Sequence, residues 1–303
     1  VAQPLNNLAV LLRSQGSYAE ARLLYERALA ILEKAFGPEH PYVATALNNL
    51  AELYRAQGRY VDAEPLFKRS LAIDEKALGP DHPKVALSLN NLALLYYNQG
   101  RYARAKEFHE KSLAIQKRLG DQAGMAITLT NIGNIHKSQG RYARAMEFYE
   151  KSLAIKKRLG DQAGMAKTYN NIGMVHHDKG EYDKALEYNQ KSLAIQIKQL
   201  GPDHPDVAIS YNNIGMVYDN KAEYDKALEY YQKSLAIRLK QLGADHPDVA
   251  QSYNNIAVVY KDKKDLPKAK EYWGKAHAIL LKKLGPNHPH TKLVKGQLDA
   301  LKE

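Results

Sequence analysis

One phrase recurs along this chain at a nearly fixed interval. ALNNLAELYRAQGRY at residues 46–60 returns in altered form, anchored on Asn7, Asn49, Asn91, Asn131, Asn171, Asn213 and Asn255. The steps between anchors are 42, 42, 40, 40, 42 and 42 residues. A period in this range excludes a single core drawn from distant parts of the sequence. Each unit is one supersecondary element whose apolar face is buried only by its neighbours, so the chain must stack as a solenoid. The units run at about 1–40, 41–82, 83–120, 121–160, 161–204, 205–246 and 247–288, with 289–303 left over.

Each unit reads as two helices. In the second, Ala46, Leu47, Leu50, Ala51, Leu53 and Tyr54 recur at helical spacing over 42–57, and Gly58 ends that helix. Ala63, Leu66, Phe67, Leu71 and Ile73 mark a second helix over 61–78, stopped by Gly79. The linkers GPEHP (37–41), GPDHP (79–83 and 201–205), GADHP (243–247) and GPNHP (285–289) pair a terminating Gly with a Pro suited to the first position of the next helix. Because the residue before a Pro is pushed out of the helical region, each linker His is expected at a helix N-cap. Residues 120–126 and 160–166 replace this linker with GDQAGMA, making Asp121 and Asp161 the expected caps. Residues 101–126 and 141–166 are nearly identical, as in a duplicated module. The seventh unit puts Lys264 where Gly is expected, Leu266 where Tyr is expected, and the single Trp, Trp273, at an aromatic core position. After it, residues 290–302 carry Leu293, Val294, Leu298 and Leu301 and read as a C-terminal capping helix. The alternative, the first helix of an eighth unit, lacks the Asn pair. Residues 1–7 align in register with 43–49 without an initiator Met, as expected of a segment of a longer protein.

With no cysteine there is no disulfide framework and no Cys-based zinc site. No apolar run approaches the ~20 residues of a membrane helix, and no secretory signal is visible, so no membrane association and a cytoplasmic setting are expected. The net charge of +11 is uneven, at +5 over 83–120, +4 over 121–160 and +5 over 247–303. Much of it lies in second helices, where Glu precedes Lys by four residues, as in Glu107–Lys111 and Glu187–Lys191, the order that suits a solvated helix face. The basic positions lack regular interleaving with aromatics, so no nucleic-acid partner is expected. Linker His residues one unit apart cannot converge on one metal ion, and adjacent His176 and His177 point to different faces of a helix. No phosphate-cradling loop, serine elbow or HExxH is present, so neither an enzyme nor a cofactor is expected.

Two small-residue positions hold Ala9, Ala51, Ala93, Gly133, Gly173, Gly215, Ala257 and Ala21, Ala63, Ala105, Ala145, Ala185, Ala227, Ala269. Aromatics close the first helix at Tyr54, Tyr96, Tyr218 and Tyr260, with Leu12, His136 and His176 in the other units. Small residues let helix axes approach to ~8–10 Å while the aromatics fill the adjoining space. This pattern resembles the tetratricopeptide repeat (TPR) family over nearly the whole chain. The 42-residue units with LNNLA and LGPDHP are similar to kinesin light chains, and the 40-residue units with LGDQAGMA to Pins-type adaptors. The resemblance implies an all-α fold: a right-handed α-α superhelix, a TPR solenoid of seven helix-turn-helix repeats plus the capping helix. It also implies that first helices line a concave groove for an extended peptide, which in kinesin light chains carries acidic residues around a Trp.

Helical geometry then gathers the candidate contact residues on the first helices. An amide side chain both donates and accepts, so Asn6, Asn7, Asn48, Asn49, Asn90, Asn91, Asn131, Asn170, Asn171, Asn212, Asn213, Asn254 and Asn255 are candidates to hold a peptide backbone. The alternative is that one Asn of each pair bonds within the solenoid. Beside them, one row includes Glu52, Leu94, Asn134, Met174 and Met216, and another Arg13, Arg55, Tyr97, Lys137, His177 and Asp219. A third reads Gln3, Thr45, Leu87, Ile127, Lys167, Ile209 and Gln251. The leading expectation is a non-enzymatic scaffold for an acidic, partly hydrophobic peptide, with Arg13, Arg55 and Lys137 meeting its carboxylates and Leu/Met pockets its apolar anchors. The others are a self-associating structural or recombined repeat module, and the sensor arm of a larger signalling protein.

Overall fold

The computed structural model describes residues 2–301, among which there are fifteen helices and no strand. The chain divides into two compact units, residues 1–155 and 156–303, with the division inside the eighth helix. The first unit holds α1 (Ala2–Ser14), α2 (Tyr18–Phe36), α3 (Pro41–Ala56), α4 (Tyr60–Leu78), α5 (Pro83–Asn98), α6 (Tyr102–Leu119), α7 (Gln122–Ser138) and most of α8 (Tyr142–Leu159). The second holds α9 (Gln162–Asp178), α10 (Tyr182–Leu200), α11 (Pro205–Asn220), α12 (Tyr224–Leu242), α13 (Pro247–Asp262), α14 (Leu266–Leu284) and α15 (Pro289–Asp299).

The helices begin where the linkers dictate. His40, His82, His204, His246 and His288 are N-caps, each Nδ1 accepting from the backbone N–H two residues on at 3.1–3.2 Å. Asp121 and Asp161 take the same office with the amides of Gly124 and Gly164, at 2.9 and 2.8 Å. Hairpin turns close on a left-handed residue, Gly58 at φ 70° being one example. Two turns do so without glycine, at Ala222 (φ 57°) and Lys264 (φ 63°). A Cβ there costs about 1 kcal/mol. The sequence flagged Lys264 and overlooked Ala222.

Within a hairpin, a small residue faces a large one. Gly133 lies so close to Tyr149 that a Cβ would sit 2.6 Å from ring Cε1, and Gly215 so close to Tyr231 that it would sit 2.9 Å from Cδ1. The aromatic slot ending the first helix tolerates histidine because the ring, not the hydroxyl, does the packing. His136 stacks on Phe148 and His176 on Tyr188, both at 5.3 Å, as Tyr260 does on Tyr272 at 5.6 Å.

Within and between hairpins the core is partly polar, which the apolar periodicity alone does not announce. Within hairpins, the hydroxyls of Ser70, Ser112 and Ser152 donate to the carbonyls of Ala44, Ala86 and Ala126 on the preceding helix at 2.6–2.9 Å. Beside them runs a buried pair that differs at each junction. Ser88 donates to Asp74 at 2.7 Å, Lys156 to Thr168 at 2.8 Å, Ser210 to Gln196 at 2.6 Å and Arg238 to Ser252 at 2.9 Å. Burial raises the Asp74 carboxyl above its ordinary range and lowers the Lys156 amine to about 8.

Helix α15 packs Val294 and Leu298, and the turn after it Leu301, against the cluster around Trp273, Ile279 and Leu280. Leu293, expected on the same side, is exposed, and Thr291 is buried. A 3.6-residue period carries position 293 onto the solvent face once 291, 294 and 298 face inward.

Within each unit, odd-numbered helices touch odd-numbered ones (α1 with α3, α3 with α5, α5 with α7; α9 with α11, α11 with α13), whereas α2, α4 and α6, or α10, α12 and α14, do not approach one another comparably. Closer spacing on one side makes the odd helices the inner face of each unit.

Candidate peptide-binding face

The odd helices present three parallel rows. The outermost is solvent-facing, with Leu87, Ile127 and Ile209 exposed by 58%, 56% and 45% among polar Gln3, Thr45, Lys167 and Gln251. Four residues further along each helix, on the same face, lies the second Asn of the pair.

Many of the amides are already engaged. Asn49 Nδ2 donates to Asn6 Oδ1 at 2.9 Å and Asn91 Nδ2 to Asn48 Oδ1 at 2.8 Å, a ladder from hairpin to hairpin. Asn255 donates to Asn212 in the same way at 2.7 Å. Asn7 Oδ1 accepts from Gln3 at 3.0 Å. Asn254 Oδ1 takes the Trp273 indole N–H at 3.0 Å, and Asn134 Oδ1 the Tyr149 hydroxyl at 2.6 Å. Asn90 and Asn170 are buried, at 7% and 6% exposure, and so leave the contact surface. Asn90 donates to Thr128 at 2.9 Å and its Oδ1 lies 2.7 Å from His109 Nδ1, while Asn170 donates to Ser210 at 2.9 Å. Asn131, Asn171 and Asn213 are half-buried and spend no side-chain hydrogen bond on any described residue. In these three alone among the thirteen candidate amides of the Asn ladder, the whole side-chain amide is uncommitted to any described residue.

The charged row is also partly spent. Glu52 binds Arg55 through two contacts of 2.7 and 3.1 Å and lies 3.7 Å from Arg13, so both arginines meant for peptide carboxylates share one carboxylate of the chain itself. Two guanidiniums around one carboxylate leave one positive charge in excess. Tyr97 bonds Ser138 at 2.7 Å. His177 contacts Asp178 at 3.1 Å through Nδ1 and Asn220 at 3.0 Å through Nε2. Leu94, Lys137, Met174, Met216 and Asp219 are half-buried on the same helices.

Helical hairpins of this length, with small residues opposed to rings and an inner face of first helices, are the geometry the repeat pattern implied. The sequence pattern of the tetratricopeptide repeat family matches residues 1–76, 44–118, 84–158, 164–240 and 220–282. The chain belongs to this family. Solved structures of the same fold include aspartyl phosphate phosphatase F from Bacillus subtilis (17% identical, covering 93% of this chain and 70% of that one, TM-score 0.69). Another is BtubC (BKLC) from P. vanneervenii (22% identical, covering 80% of this chain and 92% of that one, TM-score 0.56). A third is a Rap protein complexed with competence and sporulation factor (13% identical, covering 99% and 97%, TM-score 0.61). Comparison with curated proteins gave no match. Among the described residues, no helix of this TPR chain is long and apolar enough to cross a membrane.

Proposed function

We propose that the chain is a non-catalytic scaffold whose odd-helix face binds an extended polypeptide segment. The observation that carries this reading is the coincidence of unspent amides with exposed apolar side chains: Asn131 beside Leu87 and Ile127 in the first unit, Asn171 and Asn213 beside Ile209 in the second. An amide satisfies a peptide's N–H and C=O whatever its sequence, while a leucine or isoleucine standing in water gains by taking an apolar anchor, about 25 cal/mol per Å² covered. Half-buried Met174 and Met216 add an adaptable thioether surface. The excess charge around Arg13, Arg55 and Glu52 favours an acidic residue in the segment that meets the first unit. That a Rap protein of this fold is complexed with competence and sporulation factor is consistent with a protein or peptide partner.

The test is an anisotropy titration of an acidic, Trp-containing peptide against the chain and against its Asn131→Ala, Asn171→Ala and Asn213→Ala variants. Each lost amide should weaken binding roughly fivefold, the worth of one net hydrogen bond. Affinity unchanged in all three variants sinks the proposal.

A further inference from the structure

On the row where Arg13, Arg55, Tyr97 and His177 find partners within the chain, Asp219 does not. It lies in the last turn of α11, half-buried, with Oδ1 out of reach of solvent and without a hydrogen bond. No described cation neutralises it. Lys261, one repeat on, forms no ion pair with it; Lys221 is held by Asp183 and Glu223; and His177 is occupied by Asp178 and Asn220. Burial first, and then the negative charge of exposed Asp262, push its carboxyl up to about 6, so the ionised form is held at a cost. Close by, the Tyr231 side chain is buried to 97%, and after burial it is the charge of Asp219 that raises its hydroxyl. Tyr149, in the equivalent slot, donates to Asn134 at 2.6 Å. In the sixth repeat the residue in Asn134's place is Met216, which offers no oxygen, and the Tyr231 hydroxyl bonds to no described residue. Two groups that want a partner therefore face one place on the odd-helix side, and both would be satisfied by a positively charged donor.

We infer that Asp219, Asp262 and the Tyr231 hydroxyl form an acceptor site for one Lys or Arg side chain of a polypeptide bound to the second unit. Charge complementarity selects this occupant: a cation gains the Asp219 and Asp262 charges together, while Met216 lines the path of its aliphatic stem. In a chain of net charge +11 this is a local reversal of sign, so a uniformly acidic segment is disfavoured there. The inference rests on the odd-helix face being a peptide site.

Selection from a random-sequence phage library on the full chain, in parallel with its Asp219→Asn variant, tests it. Peptides selected by the unaltered chain should share one Lys or Arg position beside their apolar anchors, and the variant should lose that position while keeping the anchors. Synthetic copies should bind the variant about tenfold more weakly, the least expected of a charged hydrogen bond. Tyr231→Phe should weaken them less and leave the preference for a basic residue intact. Circular dichroism melts check folding, and Asp219→Asn should be no less stable, since it removes an unpaired buried charge. Anchored peptides without a basic position, or with the same one in both selections, overturn this inference alone. Failure to enrich any peptide overturns the peptide-binding reading and this inference with it.

Discussion

Replacing Asn189 with leucine should stabilise this protein. Asn189 occupies the slot that other repeats give to Tyr25, Phe67, Tyr149, Tyr231 and Trp273, opposite Gly173 on the facing helix. It is fully buried, and neither Nδ2 nor Oδ1 finds a partner among the described residues. Each unpaired buried polar group costs about 1–3 kcal/mol, so the two set a ceiling of about 6 kcal/mol. Leucine has nearly the same shape and carries no such cost, but its methyl must fit against Gly173, where the Asn oxygen already packs closely. From the middle of that range, about 4 kcal/mol, a packing cost of about 1–3 kcal/mol leaves an expected gain of about 1–3 kcal/mol. Urea unfolding followed by circular dichroism reads the shift in midpoint. Because repeats open locally, hydrogen exchange of α9 and α10 should slow in the variant while distant hairpins stay unchanged. A loss of 1 kcal/mol or more at unchanged m-value would instead mean that the amide's hydrogen bonds are met in solution.

The opposed small and large residues predict contrasting outcomes for one substitution. Gly133→Ala drives a Cβ to 2.6 Å from Tyr149 and should cost about 1 kcal/mol net, whereas Gly274→Ala, with nothing within 4 Å, should gain about 1 kcal/mol in thermal unfolding. Burial lowers the His109 pKa to about 4, below the ~6.5 of an unfolded histidine. The folded state thus holds the neutral ring, and stability falls as pH drops from about 6.5 to about 4, by up to ~3 kcal/mol. His109→Phe, copying Phe67, should flatten that part of a stability–pH curve; an unchanged slope would assign the acid sensitivity elsewhere. Glu52→Gln releases Arg13 and Arg55 and should tighten binding of an acidic peptide about fivefold at low salt, with a steeper ionic-strength dependence; weaker binding would show that Glu52 itself faces the ligand.

The hairpins were legible because their signals are local. A Gly, a capping His or Asp and a helix-starting Pro are spelled out in each linker, and the 3.6-residue period names the packed face. The inner face was legible to the level of the row and no further. Whether an amide looks outward depends on what the next hairpin sets against it: Thr128 and Ser210 draw Asn90 and Asn170 inward, whereas Asn131, Asn171 and Asn213 meet no such group. Arg13 and Arg55 read as free cations until folding brought Glu52 between them. The buried polar column left a trace that went unread, a Ser or Thr at 88, 128, 168, 210 and 252 on successive first helices. Its partners vary from Asp74 to Gln196 to Arg238, and a changing charged residue looks like surface. Only tertiary packing distinguishes the two.

On the reading proposed above, the odd helices, and not the even ones, receive a polypeptide. Methyl NMR of the chain during titration with the acidic, Trp-containing peptide tests it most directly. Leu87, Ile127, Met174, Ile209 and Met216 should shift in a saturable manner, while exposed methyls of even helices, such as Leu23, Val61 and Leu281, stay still. Saturable shifts confined to the even helices would place the polypeptide on the opposite face.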